Sequence, residues 1–112
     1  MEEKIVKLLL SLGIPPNLKG FRASVYAIEI ILKDPNALDL VTKRIYPEVA
    51  KRCGSTASRV ERAIRHGVEM MFSHQDYERI VNILGLEVNV RTGKYTNTEF
   101  LSLCAMRLKG GN

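Results

Sequence analysis

The stretch from Ser55 to Met71, STASRVERAIRHGVEMM, constrains the fold most, because its apolar residues recur at α-helical spacing. On a helical wheel, one side is a continuous apolar stripe made of Val60, Ala63, Ile64, Gly67, Val68 and Met71. The opposite side is polar and consists of Ser58, Arg62, Arg65 and Glu69, flanked by Arg59, Glu61 and His66. We therefore predict an amphipathic helix. Thr56 can cap its start, and Ser58 and Glu61 have capping-box spacing.

The rest of the chain also shows helical spacing interrupted by Gly and Pro. We predict helices over residues 1–13 and 21–33 and an apolar stripe through Leu38, Val41, Ile45 and Val49. Pro47 requires either a kink in that stripe or a new helix with Pro47 in its first turn. A further helix, capped by Asp76 and ended by Gly85, places Tyr77, Ile80, Val81 and Leu84 inward.

The C-terminal part combines one strand-like stretch with a last helix. Residues 87–95, EVNVRTGKY, alternate briefly but are too few to form a stable strand alone. Thr96 and Glu99 have capping-box spacing before the last apolar run. The resulting fold class is all-α, a single domain of about six helices over residues 1–112.

A short helix, PEVAKRC, precedes the opening stretch and is joined to it through Gly54 and Ser55. Two helices with a glycine-containing turn, and polar residues at the start of the second, are typical of a helix-turn-helix. Arginine can donate two hydrogen bonds to guanine, and glutamate can accept one from cytosine. Glu61 among the arginines is thus either a base reader or merely a helix-capping acid.

The charge pattern favours a polyanionic partner. The chain has a formal net charge of +5, and residues 43–66 contain seven Lys or Arg against two Glu, which accounts for all of it. The remainder holds ten basic and ten acidic residues. A local basic patch on an otherwise neutral chain favours binding to phosphates, because that binding releases counterions. A solvated basic face without a partner is the simpler alternative.

Composition excludes several other classes of protein. Hydrophobic residues make up 46% and charged residues 26%, which is ordinary for a globular protein. No apolar run has the roughly 20 residues of a membrane span, and the start lacks the basic region of a signal peptide. Cys53 and Cys104 stand far apart, which indicates free buried thiols in a reducing compartment. We expect a cytoplasmic protein with no membrane association.

Four stretches, in order, resemble a known family: GIPPNLKGF from Gly13, YPEVAKR from Tyr46, TASRVERAIRH from Thr56 and TNTEF from Thr96. They are similar to the C-terminal DNA-binding effector domain of the stage-zero sporulation response regulator of endospore-forming bacteria. The resemblance implies a six-helix fold that binds a TGTCGAA-like box in double-stranded DNA. It also implies control of sporulation or related genes, as an activator or a repressor.

The resemblance also implies roles for individual residues. Arg59, Glu61 and Arg62 would read base edges, while the DNA backbone or groove wall would be contacted by Ser58, Arg65, His66, Lys51 and Arg52. Gln75, Glu78, Arg79 and Asn82 lie in the stretch that contacts the primary sigma factor of RNA polymerase in the family. A homodimer on tandem DNA boxes is a further implied assembly.

The chain departs from the family pattern in three ways. Family members carry an N-terminal receiver domain, for which this chain has no room, so it is either a separated effector domain or a free-standing paralogue. Gly67 replaces a usual alanine, at a helix cost of roughly 1 kcal/mol. Tyr95 replaces a common proline.

Two other classes of function compete with a DNA-binding regulator. A protein-interaction module without a receiver, pairing with sigma factor or with a full-length regulator as an antagonist, is the main alternative. An enzyme is not expected: His66 and His74 lack a third ligand at metal-site spacing, the cysteines lack an activating neighbour, and no glycine-rich phosphate loop is present. We predict no cofactor and no metal.

Overall fold

Six α-helices account for most of the chain in the computed structural model, which describes residues 1–110. They are α1 Glu2–Ser11, α2 Lys19–Lys33, α3 Tyr46–Cys53, α4 Ala57–His74, α5 Tyr77–Leu84 and α6 Asn97–Gly110. A 3₁₀-helix over Pro35–Leu40 and a π-helical turn over Val41–Ile45 connect α2 to α3. The predicted all-α fold of about six helices is confirmed.

Helix α2 is the centre of the core. It packs against α1, α3, α4 and α6, and it buries nine residues along its length, from Gly20 to Ile31. Around it, the fully buried side chains include Ile5, Leu9, Ile45, Ile64 and Phe100, which come from other segments of the chain. Because four other helices pack against α2, its position determines where they lie in the domain.

Pro47 starts a new helix, the second of the two outcomes predicted for it. It occupies the first turn of α3, where proline is tolerated. The π-helical turn leads into α3 without a break, because Ile45 has helical dihedral angles and the Tyr46 amide donates to the Val41 carbonyl oxygen. The stripe before it runs through the 3₁₀ and π turns, so Val41, Ile45 and Val49 are buried although they do not share one α-helix.

Residues 87–95 form a loop, and within residues 1–110 there is no strand. The alternation has no sheet to pair with, and Val90 is 96% exposed. A turn replaces it: the amide of Gly93, at φ 71°, donates to the carbonyl oxygen of Asn89 at 2.8 Å. Tyr95 closes the loop, because it is buried against Phe72 and its hydroxyl donates to the carbonyl oxygen of Leu86. Burial raises the pKa of Tyr95 to about 12.

The helix caps follow the sequence signals at α4 and α6. Thr56 Oγ1 accepts from the amide of Arg59 at 3.2 Å, as predicted. The box at α6 is reciprocal: the Thr96 amide donates to Glu99 Oε1 at 2.8 Å, and the Glu99 amide donates to Thr96 Oγ1 at 3.1 Å. The Ser58–Glu61 box is wrong, since Ser58 already lies inside α4 and the cap position belongs to Thr56.

Three further expectations need correction. Asp76 precedes α5 but makes no side-chain cap hydrogen bond, although Gly85 ends that helix in the left-handed conformation as predicted. Tyr77 is 43% exposed rather than inward, because its hydroxyl turns outward to accept from the amide of Val88. Cys104 is a buried thiol whose pKa is raised by burial, but Cys53 is exposed at the end of α3. No helix among the described residues is long and apolar enough to cross a bilayer.

Candidate nucleic-acid interface

Helices α3 and α4 form the predicted helix-turn-helix. Helix α3 ends at Gly54, whose φ of 62° places it in the left-handed region that favours glycine. The next amide, of Ser55, donates back to the carbonyl oxygen of Ala50 at 2.9 Å, and Thr56 then caps α4. The turn is therefore tight and hydrogen-bonded on both sides, which fixes the start of α4 relative to α3.

Helix α4 presents the two faces that the helical wheel predicts. The buried face consists of Val60, Ile64, Gly67, Val68 and Met71. Arg59, Arg62, Arg65 and His66 are exposed on the other side. The apolar stripe thus holds the helix on the core and leaves the opposite, basic side exposed to solvent.

Helix α2 crosses α4 with its backbone in direct contact. A Cβ atom placed on Gly20 would lie 2.1 Å from the carbonyl oxygen of Ala63, and Gly67 faces Gly20 across the same crossing. Only glycine at position 20 allows this approach. As a consequence, Lys19 and Arg22, on the first turn of α2, lie beside α4, although both precede the basic stretch of residues 43–66 in sequence.

A groove of about 1150 Å³ runs between the start of α2 and the α3–α4 turn. Its basic lining residues are Lys19, Arg22, Arg52, Arg59, Arg62, Arg65 and His66. Glu69 is the single acid that lines it in the described part of the chain, and its Oε2 accepts from Lys94 Nζ at 2.8 Å. That hydrogen bond lowers the pKa of Glu69 and keeps its charge paired. The groove is therefore strongly cationic.

Arg52 is held in a defined orientation on the groove wall. Its guanidinium carbon lies 4.0 Å from the ring centroid of Tyr26, within cation–π distance. Its Nη1 lies 3.5 Å from Glu29 Oε1, and the guanidinium of Arg22 lies 6.0 Å from the same Tyr26 ring. Tyr26 is thus a shared platform for two arginines, a role that spacing along the sequence does not reveal.

Glu61 is only loosely engaged in the free protein. Its Oε1 lies 3.5 Å from Arg65 Nη2, one helical turn away, and both side chains are partly exposed. The backbone of Glu61 is held more firmly, because its carbonyl oxygen accepts from Asn97 Nδ2 at 3.0 Å. Asn97 Nδ2 also donates to the Tyr46 hydroxyl at 3.0 Å. Asn97 therefore joins the start of α6 to both helices of the helix-turn-helix.

Asn97 is a positioning residue that no motif in the sequence marks as functional. Its only sequence signal is its place in the TNTEF stretch that resembles the family. Tyr46, which it contacts, is buried, and desolvation raises the pKa of this tyrosine. Asn97 and Tyr46 are consequently uncharged, and their hydrogen bonds hold α4 in position.

The residues predicted to contact the DNA backbone or groove wall fall into two groups. Arg52, Arg65 and His66 line the groove, whereas Ser58 and Lys51 are exposed on the same helix-turn-helix outside it. Ser58 Oγ lies 3.5 Å from Thr56 Oγ1 at the start of α4. The fold thus brings the first group into one surface with the base-reading candidates Arg59 and Arg62.

The predicted sigma-factor residues also divide. Gln75 is half-buried: its Nε2 donates to the carbonyl oxygen of Ser11 at 2.9 Å, and its Oε1 accepts from the Asp76 amide at 3.0 Å. It therefore ties α1 to the end of α4. The other three, Glu78, Arg79 and Asn82, lie on α5, and all three are exposed.

A family model described as sporulation initiation factor Spo0A, C terminal, matches residues 5–108. The chain belongs to this family. As a Spo0A C-terminal domain it is a DNA-binding, helix-turn-helix effector domain of a response regulator that acts in sporulation and transcription regulation. The family is one of regulatory domains rather than of enzymes. The resemblance found in the four sequence stretches is confirmed.

Proposed function

We propose that this domain reads a TGTCGAA-like box in double-stranded DNA by placing α4 in the major groove. The observation that carries the proposal is the continuous cationic surface formed by the exposed side of α4 and the groove beside it. In this arrangement Arg59, Glu61 and Arg62 read base edges. The arginines donate to guanine O6 and N7, and Glu61 accepts from the amino group of cytosine.

The weak contact between Glu61 and Arg65 supports this assignment. An ion pair at 3.5 Å between two partly exposed side chains contributes only about 0–1 kcal/mol. Glu61 can therefore leave Arg65 for a base at little cost. Arg65 is then free to reach a phosphate from the same turn of the helix.

The groove beside α4 suits the sugar-phosphate backbone. Arg52, Arg65 and His66 would contact phosphates there, with Ser58 and Lys51 nearby, and Lys19 and Arg22 add two cations from α2. Such contacts position the domain without reading sequence. With about five phosphates neutralised, the logarithm of the binding constant should fall with the logarithm of salt concentration at a slope of roughly −4 to −5.

Binding to a duplex with the box and to a scrambled duplex, across a salt series, tests the proposal. Arg62→Ala should cost about 1–3 kcal/mol on the box and little on the scrambled duplex. Arg65→Ala is the matched control, because losing a phosphate contact should weaken both duplexes alike and reduce the salt slope by about 1. Equal affinity of the unmodified domain for the two duplexes would contradict sequence-specific reading.

A second candidate function is a protein-interaction module that pairs with the primary sigma factor or with a full-length regulator. The exposed side chains of Glu78 and Arg79 on α5 favour it, since α5 is separate from the cationic groove. Capture of sigma factor or of the regulator, without a shift of any duplex, would support this alternative. Loss of sigma capture in Glu78→Ala, with duplex binding retained, would instead combine both functions in one domain.

A homodimer on tandem boxes belongs to the same proposal. Two adjacent boxes should then bind the domain cooperatively, more tightly than two independent sites allow. A titration of single-box and tandem-box duplexes measures this coupling directly, and identical affinity per box would exclude contact between neighbouring domains.

A further inference from the structure

The turn of residues 89–94, which precedes α6, lies on the side of α4 that faces away from α2. Tyr95, the next residue, packs on Phe72 of α4, and the two ring centroids are 5.3 Å apart. Phe72 lies about two and a half helical turns after Ala63, whose carbonyl oxygen is in contact with Gly20 of α2. Helix α4 therefore has α2 on one flank and this turn on the other.

Hydrogen bonds within the turn hold its backbone in one conformation. The amides of Gly93 and Arg91 donate to the carbonyl oxygen and to Oδ1 of Asn89, both at 2.8 Å. Thr92 Oγ1 donates to the carbonyl oxygen of Lys94 at 3.0 Å. The basic side chains of the turn therefore start from a fixed backbone.

The turn carries two cations and no acidic residue. Arg91 is exposed and, in the described part of the chain, takes part in no ion pair closer than 4.0 Å. Lys94 Nζ lies 2.8 Å from Glu69 Oε2 on α4. Glu87 precedes the turn, and the carboxylate of Glu99 caps α6. The turn thus adds positive charge to the flank of α4 that the groove beside α2 does not reach.

A helix in the major groove has a phosphate backbone on each side, because both strands border a groove about 12 Å wide. The groove between α2 and α4 offers Lys19, Arg22 and Arg52 to one of these backbones. The turn of residues 89–94 is on the side of the other. Contacts to both strands would fix the position of α4 between them.

The ion pair between Lys94 and Glu69 is one that a phosphate can replace. Its two side chains are 39% and 46% exposed, so solvent screens their attraction. Glu69 lies about two helical turns after Arg62 and therefore on the same exposed side of α4. Lys94 consequently has two possible effects on DNA binding: it masks an acid that repels phosphate, and it offers an ammonium group of its own.

We propose that the turn of residues 89–94 is a second phosphate-binding element, which contacts the DNA strand opposite the one that faces the α2 groove. Arg91 and Lys94 donate to phosphate oxygens of that strand, and Lys94 leaves Glu69 to do so. The inference rests on the proposed placement of α4 in the major groove. It gives the turn a positioning role and no part in base reading.

Duplexes that carry the box and one uncharged methylphosphonate, scanned along both strands, test the strand assignment. The unmodified domain should lose affinity at two sets of positions, one on each strand, by roughly three- to tenfold. Arg91→Gln should become insensitive at positions on one strand and Arg52→Gln at positions on the other, because a contact that is already lost cannot be lost again. Sensitivity of Arg91→Gln at both sets, or loss at the same set in both variants, would overturn the proposal.

A Glu69→Gln background separates phosphate contact by Lys94 from masking of the acid. In this background, Lys94→Gln should still weaken duplex binding roughly three- to tenfold and reduce the salt slope by about 1. Equal affinity of Glu69→Gln and the double variant would overturn the contact assigned to Lys94, since masking alone would then explain its effect.

Lys33→Gln is the matched control, because Lys33 is exposed at the opposite end of α2 from the groove. It should bind duplex within about twofold of the unmodified domain, and circular dichroism checks that all variants are folded. Preference for the box with phosphate sensitivity on one strand only would overturn this inference and leave the proposed function intact. Without any preference for the box, the proposed function fails, and the salt slopes of the same variants still decide whether the turn contacts phosphate.

Discussion

Two glycines that face each other across the α2–α4 crossing should respond in opposite ways to the same substitution. At Gly20, an added Cβ would lie 2.1 Å from the carbonyl oxygen and 2.9 Å from the carbonyl carbon of Ala63. Both are backbone atoms, so no rotamer change can relieve the clash, and α2 must move away from α4. At Gly67, the nearest atoms are at 3.8–3.9 Å, which is ordinary van der Waals contact.

The magnitudes follow from these distances. Overpacking a well-packed core costs about 1–3 kcal/mol, and we expect Gly20→Ala at the upper end, because α2 and α4 carry much of the core. Helix propensity returns less than about 1 kcal/mol there, since Gly20 lies in the first turn of α2. Gly67→Ala lies in the middle of α4 without a clash and should stabilise the domain by roughly 1 kcal/mol.

Urea denaturation followed by circular dichroism measures both effects as shifts of the midpoint at constant slope. Duplex binding provides a second reading, because parting the helices displaces Lys19 and Arg22 from α4 in Gly20→Ala. Gly67→Ala should bind duplex like the unmodified domain. A Gly20→Ala variant as stable as the unmodified domain would contradict the close backbone contact at this crossing. A Gly67→Ala variant more destabilised than Gly20→Ala would do the same.

Three further predictions concern other contacts. Tyr26→Leu should weaken duplex binding several-fold without changing sequence preference, whereas Tyr26→Phe should keep the aromatic platform for Arg52 and bind normally; a loss in both variants would contradict the stacking role. Asn97→Ala should lower the free energy of unfolding by about 1–3 kcal/mol in urea, because it removes the added hydrogen bond to the Glu61 carbonyl oxygen and leaves the buried Tyr46 hydroxyl without its partner. The hydrogen bond from Arg44 at 2.6 Å lowers the pKa of Asp34 below its ordinary 3.8. The Asp34 carboxylate therefore stabilises the folded domain above pH 3.8, and this contribution is lost as the pH falls through the lowered pKa. Asp34→Asn should therefore be less stable than the unmodified domain at neutral pH and equal to it in strong acid; a pH-independent difference in thermal unfolding would exclude the carboxylate as its source.

Local sequence signals predict the helices well because they are short-range. The stripe through Val60, Ile64 and Val68 and the cap at Thr56 depend on residues within one or two turns. The sequence-based predictions are wrong where contacts between distant parts of the chain determine the local structure. Tyr77 has a place in a helical stripe but turns outward to the Val88 amide, and the alternation of residues 87–95 meets no neighbouring strand.

The candidate site is predictable only in part for the same reason. Arg59, Arg62 and Arg65 follow from one helix and one charge window. Lys19 and Arg22 join them only because a glycine at position 20 lets two helices touch, which spacing along the chain does not reveal. Gly67, which the sequence marks as a costly substitution of alanine, faces that contact without being required by it.

The stacking of Arg52 on Tyr26 bears on the entropy of association. A free arginine side chain loses about 0.5–1.5 kcal/mol of conformational freedom when a partner immobilises it. Arg52 is already confined by the ring at 4.0 Å and by Glu29 at 3.5 Å, so much of that loss has occurred during folding. A phosphate that arrives at this arginine meets a preorganised donor, and more of the interaction is available as affinity.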